Sequence, residues 1–303
     1  MYHYRVVILM ASTSCQFRVL PEFSRHLSLR LVFCQPNTNA YTFENGHKIK
    51  IRPDRIDFAV CSHGHYDHGG GDREFVKNGL QCPLVTGKGF FTEKYAVSGI
   101  KSSYLGPGFD QEFLTENHIT HMECHGLTPL APGCWVMGDI QRTYEFESVP
   151  GRFVLREQDA WVQDKFCDEI CLIIEEQGEL VVIVGCSHPG ILNILTTVKE
   201  HFSQPIKAVI GGTHLMEADE ARIRQTVEIM KDMGIRLLGF NHCSGELFRN
   251  MMEQEETLST VYLGGWRLPV PDVGIPSVDK ETDVSCYFKS HWKHSTNSAS
   301  NGF

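Results

Sequence analysis

Residues 61–71 read Cys-Ser-His-Gly-His-Tyr-Asp-His-Gly-Gly-Gly, which places three imidazoles and a carboxylate within six residues. The apolar run 56–60 before this stretch alternates like a β-strand, and the glycines behind it predict a tight turn into a short helix. Neutral imidazole and carboxylate are ligands that zinc, manganese and iron accept at hydrolytic sites. A histidine-rich surface loop is the alternative, but four ligand-type residues between a strand and a glycine turn favour a metal site.

The spacing inside this stretch predicts two metal ions rather than one. His63 and His65 are two residues apart and can point the same way from an extended segment. Asp67 and His68 come after the turn begins, so they can face a second point in space. The following glycines allow the backbone to bend tightly around such a centre.

The composition restricts the class of protein. A chain of 303 residues with 42% hydrophobic content can bury a substantial core, as one large domain or two small ones. A net charge of −9 argues against a nucleic-acid partner, and no apolar run is long enough to predict a membrane span. Eleven cysteines without a CxxC pair are typical of scattered thiols in a reducing compartment, so we expect a cytoplasmic protein.

A second pattern appears after residue 170, where a strand, a histidine-containing turn and a helix follow one another three times. It starts with a predicted hairpin of two buried strands, 170–174 and 180–184. The histidines of the three turns are His188, His214 and His242. Three histidines at strand ends, with the stretch at 61–71 upstream, indicate a shared metal centre. By contrast, residues 142–158 are predicted to form a loop or lid.

The motif His-x-His-x-Asp-His at 63–68 resembles the signature of the metallo-β-lactamase superfamily. Gly-Cys-Ser-His at 185–188, Gly-Gly-Thr-His-Leu at 211–215 and His-Cys-Ser-Gly at 242–245 narrow the resemblance to the branch of dihydropterin synthase-like metal-dependent hydrolases. The likeness covers residues 31–266 and implies one domain with an α/β fold, the αββα four-layer sandwich. An unassigned segment, 1–30, would precede this domain, and a loose polar tail, 267–303, would follow it.

The resemblance also implies the cofactor and its ligands. It implies two divalent metal ions, with zinc as the first choice and manganese or iron as alternatives. The first ion would be held by His63, His65 and His188, and the second by Asp67, His68 and His242. Asp67 would also orient the attacking water or take its proton.

Three further residues are implied with more than one role. Cys186 stands where many relatives have a metal-bridging carboxylate, so it either ligates as a thiolate or packs as a small core residue. Asp168 is the residue nearest to the place where many relatives have a further ligand histidine. His214 is expected to contact the substrate or a ligand rather than the metal itself.

Three functions remain open from the sequence. The first is a metal-dependent hydrolase that activates water against a small-molecule ester, lactone or phosphoester. The second is a transferase of the dihydropterin synthase type, in which the metals activate the leaving group of a pterin diphosphate. The third is a metal-binding protein without activity, against which the intact motif at 63–68 weighs.

Overall fold

The computed structural model describes residues 3–9, 28–34 and 53–262, in which three β-sheets and six α-helices form the fold. Two sheets pack face to face and carry helices on their outer surfaces, which confirms the αββα four-layer sandwich. Most of the segment 1–30 and the whole predicted tail, 267–303, lie outside the described residues. Within the described ranges, no helix has the length and hydropathy that a bilayer span requires.

The first sheet is five-stranded and parallel. Its strands in spatial order are β1 (His3–Leu9), β2 (Ser28–Cys34), β3 (Phe58–Cys61), β4 (Leu84–Gly87) and β7 (His121–Cys124). The second sheet has seven strands, which in spatial order are β16 (Ser259–Tyr262), β15 (Leu237–Phe240), β14 (Ile206–Gly211), β13 (Glu179–Ile183), β12 (Cys171–Glu176), β9 (Cys134–Met137) and β8 (Leu127–Ala131). β13 to β16 run parallel, and the predicted hairpin of β12 and β13 is confirmed.

The helices follow the strands along the chain. They are α1 (Tyr66–Gly69), α2 (Asp72–Lys77), α3 (Gln111–Glu116), α4 (Ile191–His201), α5 (Glu220–Asp232) and α6 (Glu246–Met252). A short helix was predicted only after the three glycines, where α2 lies. The structure has an additional helical turn before it, α1, which starts inside the histidine motif. A 3₁₀ turn, His242–Ser244, follows β15.

Alternate side chains of the central strands serve two cores, because successive residues of a strand point to opposite faces of the sheet. Leu172 and Ile174 of β12 lie between the two sheets, where they pack in one cluster with Val60 and Val85. Ile173, between them in sequence, faces the layer of α4, α5 and α6. The apolar cluster between β3, β4 and β7 of one sheet and the central strands of the other therefore joins the two sheets.

A third sheet of four antiparallel strands covers the end of the sandwich. Its strands in spatial order are β11 (Ala160–Gln163), β10 (Phe153–Glu157), β5 (Lys94–Ser98) and β6 (Lys101–Tyr104). The prediction of a loop over the whole of 142–158 was wrong for residues 153–157, which form β10. This strand pairs with the neighbouring β11 and with the sequence-distant β5, and local periodicity does not reveal the second partner.

A buried carboxylate caps the first turn of α4. Glu147 accepts hydrogen bonds from the backbone N–H groups of Leu192 at 3.0 Å and Asn193 at 2.8 Å. These donors lack partners within the helix, so the carboxylate satisfies them. Burial nevertheless raises the pKa of Glu147 to about 7, against the ordinary 4.5.

This raised pKa predicts a pH-dependent stability. As pH rises from 4.5 to 7, Glu147 ionises in the unfolded chain before it ionises in the folded one. The stability that it contributes in acid is therefore lost across that window. We expect the stability difference between the wild type and E147Q to shift by about 1–3 kcal/mol against the wild type between about pH 5 and pH 8. Urea unfolding at both pH values measures it, with the exposed neighbour variant E145Q as control; a pH-independent difference would contradict it.

Candidate metal centre

The candidate site lies where the carboxyl ends of strands from both sandwich sheets meet. The strands concerned are β3 of the five-stranded sheet and β13, β14 and β15 of the seven-stranded sheet. The residues that follow these ends are 63–68, Cys186, His188, His214 and His242. The N–H of Ile170 donates to the carbonyl oxygen of Ser62 at 2.8 Å and so ties the two sheets together beside the site.

Four of the predicted histidines come together here. The ring centroid of His63 lies 4.7 Å from that of His65, 4.0 Å from that of His68 and 4.8 Å from that of His188. The rings of His65 and His188 are 5.0 Å apart. Two distant parts of the sequence thus contribute imidazoles to one small volume.

Ser62 orients two of these rings from behind. Its Oγ lies 3.2 Å from Nδ1 of His63 and 3.1 Å from Nδ1 of His68. A hydroxyl oxygen has two lone pairs and can accept a hydrogen bond from both Nδ1–H groups. In that tautomer the Nε2 atoms of His63 and His68 keep their own lone pairs, which is the form that binds a metal.

Several ring nitrogens of the group are buried without a hydrogen-bond partner. They are Nε2 of His63, Nε2 of His65 and both ring nitrogens of His188. Burial lowers the pKa of all three histidines, that of His65 to about 3, so each ring is neutral at pH 7. A buried polar atom without a partner costs roughly 1–3 kcal/mol. A bound metal ion would give these unpartnered nitrogens a partner, so a cluster of buried neutral imidazoles is the arrangement expected of metal ligands.

Cys186 adds a sulfur to the nitrogen donors. Ligand atoms of His63, Cys186 and His188 all lie within 4.8 Å of one another, and Nε2 of His68 lies 3.0 Å from the Cys186 sulfur. With bonds of about 2.0 Å to nitrogen and 2.3 Å to sulfur, two ligands of one zinc ion lie roughly 3–4 Å apart. Asp67, a quarter exposed, is 3.7 Å from Nε2 of His68 and adds a carboxylate. This donor set fits zinc or a similar divalent ion after small side-chain movements.

Two phenylalanines form an apolar wall beside the imidazoles. The ring of Phe166 stacks on His188 with centroids 3.9 Å apart and planes 9° apart. Phe153, on β10 of the covering sheet, lies 5.4 Å from His188 and 5.8 Å from His65. The stacking fixes the plane of the His188 ring, and both rings exclude water from its faces.

A buried carboxylate holds the turn that carries His188. Glu169 accepts hydrogen bonds from the N–H of Ser187 at 2.5 Å and the N–H of His188 at 2.8 Å. Ser187 has a φ of 62°, an uncommon value for a residue with a side chain. Burial raises the pKa of Glu169 to about 8. Through its two hydrogen bonds, Glu169 fixes the backbone of the turn that carries His188.

The other candidates occupy different places around the group. Asp168 accepts a hydrogen bond from the N–H of Gly64 at 2.7 Å and pairs with Lys94 at 3.1 Å. The ring of His214 lies 4.2 Å from that of His188. His242 begins the 3₁₀ turn after β15, and its side chain lies outside the described part of the structure.

Sequence reasoning gave no role to Ser62, Lys94, Phe166 or Glu169. Ser62 lies inside the quoted motif, yet a hydroxyl between two histidines has no distinctive spacing. Lys94 and Phe166 meet the site only through tertiary contacts. Asp168 was considered because it is nearest to the place of a ligand histidine in many relatives, and the adjacent carboxylate was the available signal for Glu169.

The relatives of this chain include metal-dependent proteins, which agrees with the geometry of the candidate site. No family model matches the chain. The 7,8-dihydropterin-6-methyl-4-(beta-D-ribofuranosyl)-aminobenzene-5'-phosphate synthase of Methanocaldococcus jannaschii is 30% identical over 218 residues, which are 68% of this chain and 72% of that enzyme. An uncharacterised protein of the same organism is 27% identical over 231 residues, 74% of this chain and 82% of its own length.

A solved structure agrees in fold. A metal-dependent hydrolase of the beta-lactamase superfamily superposes with a TM-score of 0.65 at 27% identity, over 78% of this chain and 88% of the hydrolase. The sequence identity to the synthase, its coverage of the chain and this superposition all indicate the same family. The chain belongs to the metallo-β-lactamase superfamily, in the branch of the dihydropterin-type synthase of Methanocaldococcus jannaschii.

Proposed function

We propose that the protein is a metal-dependent hydrolase with a dinuclear centre that acts on a small-molecule ester, lactone or phosphoester. The observation that carries this proposal is the set of buried, unpartnered imidazole nitrogens beside the Cys186 sulfur. The superfamily relatives, a synthase and a metal-dependent hydrolase, support a metal-dependent enzyme. The net charge of −9 disfavours a nucleic-acid substrate.

The residues that would hold the metals divide into two groups. The first ion would be bound by His63, His65 and His188, whose rings lie within 5.0 Å of one another. The second would be bound by Asp67, His68 and His242. Cys186 lies close to both groups, 3.0 Å from Nε2 of His68 and within 4.8 Å of ligand atoms of the first group, so we assign it as a ligand between them.

The protein groups around the centre have separate tasks. When bound, the metal ions would lower the pKa of a water molecule and stabilise negative charge on the electrophile. Asp67, whose side chain is 25% exposed while that of His68 is fully buried, would orient that water or take its proton. Ser62 keeps Nε2 of His63 and His68 available, and Glu169 holds the turn of His188. His214, beside His188, would contact the substrate.

A transferase of the pterin type is the second candidate, favoured by the 30% identity to the dihydropterin-type synthase. Such an enzyme would transfer the whole pterinylmethyl unit to an amine acceptor rather than to water, and diphosphate would be the leaving group. The two functions are separated by incubating the metal-loaded protein with a pterin diphosphate in the presence and absence of an aminobenzene acceptor. A coupled product that forms only with the acceptor supports the transferase, and diphosphate release that does not depend on it supports the hydrolase.

Metal content tests the centre that both candidates need. We expect about two equivalents of divalent metal in the wild type and about one or fewer in the H63A H65A double variant. Elemental analysis of the purified proteins measures this and identifies the metal. A matched control is H118A H125A, which removes two histidines outside the group and should retain the metal. Wild-type protein that neither contains nor takes up metal would leave a binding protein without the proposed chemistry.

We also propose a cytoplasmic location. The eight cysteines of residues 53–262 are all free, as is typical of a reducing compartment.

A further inference from the structure

A second thiol lies next to Cys186. Cys186 follows β13 and Cys243 follows β15, and the Cys243 thiol lies against the backbone of Cys186. Both residues are buried, with 4% and 3% of their surface exposed, and neither forms a disulfide. The Cys243 sulfur lies 3.8 Å from the Cys186 carbonyl oxygen and 3.1 Å from Oδ1 of Asn241.

A glycine between the two strand ends makes this approach possible. Gly212 follows β14, the strand between β13 and β15, and its N–H donates to the carbonyl oxygen of Gly185 at 2.7 Å. A Cβ atom at position 212 would lie 2.1 Å from the Cys243 sulfur. Only a residue without a side chain lets the Cys243 thiol reach across to Cys186.

Cys186 therefore faces two sets of neighbours. On one side its sulfur lies 3.0 Å from Nε2 of His68 and close to His63 and His188, and on the other side the Cys243 sulfur lies 3.8 Å from the carbonyl oxygen of Cys186. We propose that Cys186 and Cys243 form a redox-active dithiol, which a hydroperoxide converts to a disulfide and thereby removes Cys186 from the metal ligands. This inference rests on the proposed metal centre.

The oxidation balances in two steps. The Cys186 thiol passes its proton to Nε2 of His68, 3.0 Å away, and the sulfur attacks one oxygen of the hydroperoxide; the O–O bond breaks, a sulfenic acid forms, and the departing oxygen takes up the proton and leaves as water or an alcohol. The Cys243 sulfur then attacks the sulfenic sulfur, the S–O bond breaks, and a second water leaves with the disulfide in place. Two thiols lose two electrons and two protons, and the peroxide is reduced.

The consequence for the metal follows from the chemistry of sulfur. The thiolate is the metal ligand, and a disulfide sulfur does not replace it. Oxidation should therefore lower metal affinity, and reduction of the disulfide should restore it. Bound metal should in turn protect Cys186, because its lone pairs are then engaged.

The experiment treats full-length protein, metal-free and zinc-loaded, with hydrogen peroxide. Non-reducing digestion and mass spectrometry locate the cross-link, and elemental analysis counts the zinc taken up before treatment, after it, and after dithiothreitol. We expect a Cys186–Cys243 cross-link in the metal-free protein, forming about tenfold more slowly in the zinc-loaded protein. Zinc uptake should fall by about one equivalent and recover on reduction.

Two variants provide the controls. C243A should bind zinc before treatment but form no cross-link, and peroxide should oxidise Cys186 beyond the sulfenic acid, so that dithiothreitol no longer restores zinc uptake. C82A, which removes a buried free thiol in another core, should behave as the wild type.

Peroxide treatment that leaves both thiols intact overturns the inference, and so does a cross-link that leaves zinc uptake unchanged. Failure of the proposed function would look different, because untreated protein would then bind no metal at all.

Discussion

Replacing Lys94 by methionine is expected to lower the free energy of unfolding by about 3–5 kcal/mol and to reduce metal content. Lys94 is 1% exposed, and its ammonium lies 3.1 Å from the carboxylate of Asp168, which is 2% exposed. The ammonium also donates to the carbonyl oxygens of Gly89 at 3.2 Å and Phe90 at 3.1 Å. Without it the Asp168 carboxylate would remain buried beside unneutralised carbonyl oxygens. The cost is large because a charge that loses its partner in the interior is hardly solvated.

The effect should extend to the metal because the same carboxylate holds the histidine loop. Oδ2 of Asp168 accepts the hydrogen bond from the N–H of Gly64, between His63 and His65. Urea unfolding and elemental analysis of K94M measure the two effects, and the double variant K94M D168N should recover part of the lost stability. K207M breaks another lysine pair, in which the buried Lys207 contacts the partly exposed Glu176, and should lose stability but keep its metal. Normal metal content in K94M would show that the pair supports the fold alone.

The fold was predictable because its central elements have strong local signals. The apolar runs of β12, β13 and β14 are buried on both faces, and α4 and α5 show helical periodicity between glycine or proline turns. The predicted hairpin strands, 170–174 and 180–184, agree with β12 and β13 within two residues. The predicted sandwich followed from the resemblance of the motif at 63–68 and is confirmed.

The covering sheet was harder to predict because the pairing of β5 with β10, which joins its two hairpins, is not local. β5 and β10 are separated by β7, β8 and β9, which belong to the other two sheets. The side chains of β6 and β11 are exposed, so these strands lack the alternation that marks a half-buried strand. As a result, no local pattern indicated that Phe153 would lie beside His65 and His188.

The candidate site divides in the same way. The imidazoles of His63, His65 and His188 carried clear signals, since each follows a strand end, and the structure brings them together. The residues that hold these imidazoles in place carried no such signal. Asp168 was considered as a ligand from its position alone, whereas its partners Lys94 and Gly64 come from elements far away in sequence. A ligand is recognised by its residue type, but a supporting group is recognised only by what it touches.

The G64A variant is expected to bind metal about 10–100-fold more weakly than the wild type, although it adds only one methyl group. A Cβ atom at position 64 would lie 2.2 Å from the carbonyl oxygen of Phe90 and 3.1 Å from the Lys94 ammonium. Neither neighbour can yield easily, because one is backbone and the other is held by Asp168. The loop must therefore move away from Phe90. His63 and His65 flank position 64, so their Nε2 atoms would move with it.

Isothermal titration with zinc measures this loss of affinity, and urea unfolding should show a decrease of about 1–3 kcal/mol from overpacking. A suitable control is G151A, whose added methyl would meet only Oε1 of Gln163 at 3.8 Å, an ordinary contact. If G64A loses stability but binds zinc as the wild type does, the position of the loop does not set the metal geometry. If it keeps stability and loses zinc, the close approach of Gly64 to Phe90 serves the centre itself, and the added methyl is accommodated entirely by displacement of the two histidines.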